Sequence, residues 1–485
     1  MRITNKIMQN NSLSNINNNK ILQDNLNTQI STQKKITRPS DDPVVAIRAL
    51  RLRTNLSEIT QYYEKNVEDA ESWLSVTEDA LGTVTEVITD MYEECQKGAE
   101  ESLTAENRKA ILENLKELRD EIYSTGDADY AGRSIFTGYR TQSKLLFQED
   151  TTQQYLITEK LTKSAVDSIT YVDSGSLKDL NTTNYDDVGA TTEQGVASSS
   201  IARIRLSYDT LSTGVTPSIT INGTSHTMTL GTTNPLTIPG ANDIVFIPES
   251  GELLLGSNVN ATIQALPSSA EINITYEKKS WSKGDLRPEH YFTCTADSTD
   301  PTKKIEYSGE SQVMSYDVGY NQTVRINTLA NECYTHNIGR DVDALTQATQ
   351  AVIDIQSVIS TLESMQGNAS YTQEDVEARL AAAKKAETLL IEKEQSLYSS
   401  SITKMQSYLD QTNLAMTNCG SRSARLELVS NRLQSQQTNF KALVSENEGC
   451  DVTEVAVQLS SAEMAYDAAL MATSKIVQNS LMNYI

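Results

Sequence analysis

Ala49, Leu56, Tyr63, Ala70, Thr77, Val84 and Met91 recur every seven residues, and Leu52, Ile59, Asn66, Trp73, Ala80 and Val87 follow three residues after successive members of that row. This is the a/d seam of a coiled coil, held over several heptads. A seam of this length has to be covered by other helices, because an isolated helix gains too little from its own hydrogen bonds. A second row, Val67, Leu74, Leu81 and Ile88, runs beside the first. A straight helix drifts in this way relative to a seven-residue repeat. The resulting face is broad, which suits a bundle better than a two-stranded coil.

The seam helix has a clear start. In "TRPSDDPVVAIRALRLRTNL", Asp42 stands where an N-cap belongs and Pro43 at the first helical position, where its fixed φ is pre-organised. Ser40 and Asp41 offer further oxygens for the free amides. Arg48, Arg51 and Arg53 follow, close enough to neutralise the carboxylates or to pair across a subunit contact. Adjacent carboxylates could serve acid–base chemistry, but that needs a pocket and a second partner, and neither is visible. Capping and packing are the expectation.

The periodicity divides the rest of the chain. Residues 1–42 are rich in Asn and Gln, with Ile3, Ile7, Leu13, Ile16, Leu22, Leu26 and Ile30 spaced three, four or six apart. Asn is a poor helix former, so this segment is expected to be helical only against a partner and disordered in the monomer. Residues 43–149 carry the seam and a second helix over 104–123, with Thr104 as N-cap and Gly126 as terminator. Residues 150–335 turn to Thr, Ser, Gly and Asn, with short alternating runs such as "SITINGTSHTMTL", where Asn222-Gly223 signals a hairpin. Helical spacing returns over 336–449. The final segment, 450–485, bears a stripe through Val452, Val455, Leu459, Ala462, Tyr466, Ala469, Thr473 and Ile476.

These patterns predict a mainly α protein with a β-rich insert: an elongated antiparallel helical bundle or coiled coil formed by both chain ends, with a β-rich head in the middle. The composition agrees. Only 6% of the 485 residues are aromatic and 38% are hydrophobic, lean for a compact enzyme of this length. The residues expected to form the packing seam are Leu52, Leu56, Ile59, Tyr63, Trp73, Leu81, Val84, Leu459, Tyr466 and Ile476, with Asp42 and Pro43 as the helix cap.

A formal net charge of -23 argues against binding nucleic acid or anionic lipid. Five scattered cysteines with no C-x-x-C argue against a disulfide framework or a zinc ribbon. There is no apolar run long enough to span a bilayer and no secretory h-region. Phosphate-loop, dinucleotide, zinc-protease and serine-hydrolase motifs are also missing. "GDLRPEHYFTC" gathers Asp285, Arg287, Glu289, His290 and Cys294. Without supporting motifs it reads as an ordered loop entering a strand. No catalytic residue, cofactor or metal site is expected.

"MRITNKIM", "STQKKITRPSDDPVVAIRALRLRTNL", "QYYEKNVEDAESWLSVTEDAL" and "GRSIFTGYRT" resemble the N-terminal region of the flagellin superfamily, and "SARLELVSNRLQ" and "EVAVQLSSAEMAYDAALMATSKIVQNSLMNYI" resemble its C-terminal region. The likeness covers roughly residues 1–147 and 340–485 and leaves the middle unplaced. Within the superfamily, "SIFTGYRT" and the ending favour the branch at the hook–filament junction over filament flagellin, whose usual Gln/Ala-rich run toward the end is missing. One departure is Gln33, where the family commonly has Gly, and it bears on the local turn.

The resemblance implies a structural, non-enzymatic protein of the bacterial flagellum. Its terminal segments would be disordered in the monomer and pair as coiled coils on self-assembly into a ring. Its axial neighbours would be hook-associated protein 1 and flagellin, and a flagellar export chaperone would deliver it to the type III apparatus, giving an extracellular location without a cleaved signal. The alternatives are a filament flagellin and, from another class, a surface adhesin or enzyme displayed on a helical stalk.

Overall fold

The computed structural model describes residues 5–100, 103–177, 180–186, 189, 195–233, 236–297, 304–309 and 312–482. Ile3 lies outside these residues, as does the side chain of Ile476. The architecture is mainly α with a β-rich insert. The helices are α1 (Asn5–Thr32), α2 (Pro43–Gln61), α3 (Glu68–Gly98), α4 (Ala105–Thr125), α5 (Ser257–Ala265), α6 (His336–Met365), α7 (Gln373–Glu448) and α8 (Val452–Met482). A π-helical turn, Tyr62–Val67, joins α2 to α3. The described residues form two compact units. A terminal unit comprises the chain up to Asp69, Tyr316–Val324 and the chain from Arg425, and a central unit holds Ala70–Ser315 and Arg325–Ala424.

In the terminal unit, α1 and α8 meet where α1 ends and α8 begins. Lys35 N donates to Glu448 O at 2.7 Å and Cys450 N to Gln33 O at 3.1 Å, an antiparallel bridge centred on Lys34 and Gly449. From there Leu26 packs with Val455 and Ala462, flanked by Ile30 and Leu459, so the helices run antiparallel. Gln33 makes the turn with φ 57°, the left-handed region that favours glycine. The glycine common at this position in the superfamily that the sequence resembles therefore has a physical reason. The less exposed row of α1 is Gln9, Ser12, Ile16, Asn19, Gln23, Leu26 and Ile30. It keeps heptad spacing but is largely polar, whereas Ile7, Leu13 and Leu22 of the expected row stay exposed. Asn spacing alone could not fix the facing side; the apolar row of α8 does.

In the central unit, α3 buries the face read from the heptads. Trp73, Leu74, Leu81, Val84, Ile88 and Met91 are all shielded from solvent. A Cβ on Gly98 would lie 2.3 Å from the Tyr398 ring, so only glycine admits α7 at that distance. Thr104 caps α4 through Oγ1, which accepts from Asn107 N at 3.2 Å. Arg108 of α4 forms a fully buried ion pair with Glu394 of α7, whose other oxygen accepts from Thr349 of α6 at 2.9 Å.

The insert is a two-sheet sandwich. Its strands are β1 (Asp129–Tyr130), β2 (Arg133–Ser134), β3 (Tyr155–Leu161), β4 (Val166–Asp173), β5 (Ala197–Arg205), β6 (Ser218–Ile221), β7 (Thr224–His226), β8 (Thr229–Leu230), β9 (Ile244–Ile247), β10 (Glu252–Leu255), β11 (Ile272–Lys278), β12 (Thr293–Asp297) and β13 (Lys304–Tyr307). One sheet has order β4-β5-β10-β9-β8 and the other β13-β12-β3-β11-β6-β7. Their inner faces share Tyr155, Ile157, Ile204, Phe246, Leu253, Ile274 and Tyr276, while β1 and β2 form a separate short hairpin. Asn222 and Gly223, with φ 49° and 80°, make the tight turn between β6 and β7. A last hairpin, β14 (Ser315–Gly319) with β15 (Gln322–Arg325), precedes α6.

Buried Asp341 of α6 fastens the sandwich to the helices. It pairs with Arg205 of β5 at 2.6 Å and Lys404 of α7 at 2.9 Å, and accepts from Tyr408 OH at 2.7 Å. Burial alone would raise its carboxyl, but Arg205 and Lys404 outweigh that and hold it below the ordinary value.

Candidate assembly interface

The carboxylates of the opening stretch have separate structural tasks. Asp42 sits in extended geometry, and its Oδ1 accepts from Val44 N at 2.9 Å and Val45 N at 3.1 Å, with Pro43 at the first helical position. Asp41 Oδ2 accepts from Arg38 N at 2.9 Å and Thr37 N at 3.1 Å, and these amides hold its carboxyl below the ordinary value. One closes a turn and the other caps α2; they share no proton. Of the nearby arginines, Arg53 pairs with Glu448, while Arg48 and Arg51 stand exposed.

The expected seam divides by depth. Trp73, Leu81 and Val84, in the central unit, are fully buried. In the terminal unit Leu52, Leu56, Ile59 and Tyr63 are only half-buried, as are Leu459 and Tyr466. The terminal unit also exposes apolar side chains. Val457, Met464 and Met471 lie seven residues apart on α8 and are 66–68% exposed. Val44, Ile47 and Leu50, three residues apart on α2, are also exposed, as are Leu13 and Ile21 on α1. Rows of this kind mark surfaces meant to be covered. Of the stripe expected on α8, Val455 and Ala462 are buried and Leu459 and Tyr466 half-buried, but Val452 at its first turn is exposed, and the outward row at seven-residue spacing was not among the expectations.

The central unit holds a cavity of about 630 Å³ lined by Arg119, Tyr123, Asp209, Lys278, Asp285, Arg340 and Asp343, among others. Its charges answer one another: Arg119 pairs with Asp343 at 3.1 Å, Arg340 with Asp209 at 3.2 Å and Lys278 with Asp209 at 3.6 Å. Burial pushes the Lys278 ammonium down and the Asp285 carboxyl up. "GDLRPEHYFTC" folds as a 3-10 turn, Pro288–His290, followed by β12. Arg287 pairs with Glu289 at 2.8 Å, and the His290 ring lies 3.1 Å from Lys144 O. Burial drives His290 and His336 down to about 3 and the Cys294 thiol up to about 12, so near neutrality there is neither an imidazolium nor a thiolate. Among the described residues no group of three His, Cys, Asp or Glu is placed to hold a metal ion, and no helix is long and apolar enough to cross a membrane.

Long helices at both ends of the chain, with exposed apolar rows on α1, α2 and α8, and a β-rich insert between them in sequence define the class of the fold. Residues 3–141 match the bacterial flagellin N-terminal helical region. It is similar to flagellar hook-associated protein 3 of Salmonella typhimurium, 30% identical over 144 residues, and of Escherichia coli K12, 27% identical over 150 residues. These matches cover 30% and 31% of this chain and 45% and 47% of the relatives, so the chain spans about half the length of the curated relatives it matches. Among solved structures, that of Xanthomonas campestris FlgL aligns over 81% of this chain and 99% of its own, with 13% identity and a TM-score of 0.33.

Proposed function

We propose that this chain is a structural subunit of the bacterial flagellum, placed at the junction of hook and filament. The observation that carries the reading is the terminal unit: half-buried seams and exposed apolar rows on α1, α2 and α8, in a chain whose residues 3–141 match the flagellin helical region. Such rows are costly in water and favourable once neighbouring subunits cover them. Residues 1–42 and 450–485 act as assembly segments that order fully only in the assembled ring, with hook-associated protein 1 and flagellin as axial neighbours. An export chaperone shields the same apolar rows before export through the flagellar type III apparatus. The similarity to hook-associated protein 3 favours the junction over the filament.

No enzymatic step belongs to this reading. The adhesin-or-enzyme alternative would have to use the central cavity, where Arg119, Lys278 and Arg340 are already paired with Asp343 and Asp209. Immunogold labelling of intact flagella tests the reading. Gold confined to a short zone between hook and filament is the expected result. Gold along the filament would make the chain a filament subunit, and gold on the cell body would remove it from the flagellum.

A further inference from the structure

The charge of this chain is unevenly distributed. Residues 1–57 hold nine Lys and Arg against three Asp and Glu, in a protein with 41 basic and 64 acidic residues overall. Residues 68–94 of α3 hold nine acidic side chains and no basic one. Both biases reach the surface as helix faces. On α2, Val44, Ile47, Arg48 and Arg51 fall at spacings of three and four and so share one face. Val44 is 68% and Ile47 57% exposed, and both arginines are exposed without an ion pair among the described residues. On α3, Asp79, Glu86, Asp90 and Glu93 share one exposed face, opposite the buried row of Leu74, Leu81 and Ile88.

Gly82 adds a second, independent observation. It lies between Asp79 and Glu86 on the acidic face, in the interior of α3. Outside its own helix backbone, a Cβ built there meets nothing within 4 Å among the described residues. Glycine in a helix interior weakens the helix relative to alanine. At Gly98 the Tyr398 ring demands it; at Gly82 nothing among the described residues does. A glycine dent flanked by carboxylates accommodates close approach from outside.

We propose that the α2 face of one copy, Val44 and Ile47 with Arg48 and Arg51, docks into the Gly82 dent on α3 of a second copy, its arginines meeting Asp79 and Glu86. This rests on the reading of the chain as a self-assembling subunit and names two of the surfaces by which it assembles. Arginine suits the contact because its planar fork pairs carboxylates bidentately. The apolar pair supplies the area that ion pairs alone would not convert into affinity. A basic face with apolar residues also fits an anionic membrane surface. A second copy is favoured because this face carries no aromatic anchor, the chain as a whole is strongly acidic, and the matching acidic face is present on the same molecule.

The test is sedimentation velocity of the full chain over a concentration series at about 50 mM and about 500 mM salt. Wild type is expected to self-associate at low salt and less at high salt. Arg48→Glu with Arg51→Glu is expected to weaken association by about tenfold or more, and Asp79→Lys with Glu86→Lys is expected to restore it when mixed with that variant. Gly82→Leu is expected to abolish association while keeping or raising the melting temperature, since its side chain enters open space on a helix. Association unchanged by these variants overturns the proposal and leaves the flagellar reading standing. No association of wild type at any concentration, or binding of the α2 face to vesicles of anionic lipid in place of a second copy, also overturns it. The immunogold result is independent of all these outcomes.

Discussion

Acidification should weaken the central unit through two histidines that pack but do no chemistry. His336 is buried against Tyr208, Tyr291 and Phe292, with its Nε2 2.8 Å from the Tyr208 hydroxyl and Arg340 nearby. His290 is enclosed with Lys144 and Ser143, and Arg287 and Arg140 repel a proton on its ring. Desolvation is the main cause in both, and each falls to about 3. The unfolded chain takes up protons at these rings below the ordinary value of about 6.5, while the folded chain stays neutral until about 3. Stability is therefore lost as pH falls through about 6.5 and goes on falling toward 3. Between pH 7.5 and 5 the cost is about 2 kcal/mol for each ring, or about 4 for the pair. Glu159, Asp285 and Asp343, raised by burial, hold protons in the folded state and work the other way as pH falls. The measurement is thus a difference: urea unfolding of the central unit at both pH values for wild type and for His290→Gln with His336→Gln. The double variant should be less stable at neutral pH but lose about 4 kcal/mol less on acidification. Equal pH sensitivity in the two proteins would refute the argument.

Leu81→Asp puts a charge on a fully buried face and should destabilise the central unit by several kcal/mol, while Leu56→Asp, on a half-buried seam, should cost the monomer less than half of that; chemical denaturation compares them. Gln33→Gly relieves a left-handed residue and should stabilise the turn between α1 and α2 by about 1 kcal/mol, read as slower amide exchange around Lys35 and Cys450. In the isolated monomer, amides over residues 5–36 and 450–482 should exchange much faster than those of α3 or α6; strong protection of both ends in a verified monomer would contradict their role as segments that order on assembly.

The sequence reading succeeded where a period was long and a cap unambiguous. The heptads from Ala70 to Met91, the Asp42-Pro43 cap and the Asn222-Gly223 hairpin each rest on local chemistry that leaves one good solution. The facing row of α1 was not legible, because its apolar residues are too few to choose a side and the row of α8 makes the choice. The fasteners of the central unit were equally hidden. Asp341, Arg108 and Glu394 look like surface charges on amphipathic helices until Arg205 and Thr349 arrive from distant segments. Gln33 shows the reverse case: the departure from glycine was visible in the sequence, and its φ of 57° shows why glycine suits that turn.

The junction assignment meets its most direct test in a strain lacking this chain. A junction subunit is scarce, and without it hooks form while flagellin has nothing to polymerise on. The account predicts intact hooks, flagellin accumulating unpolymerised in the culture supernatant, and, in the parent strain, this chain as a minor component of sheared filaments. If it proves instead to be the bulk protein of the sheared filament, or if its loss leaves filaments unchanged, the junction assignment is wrong.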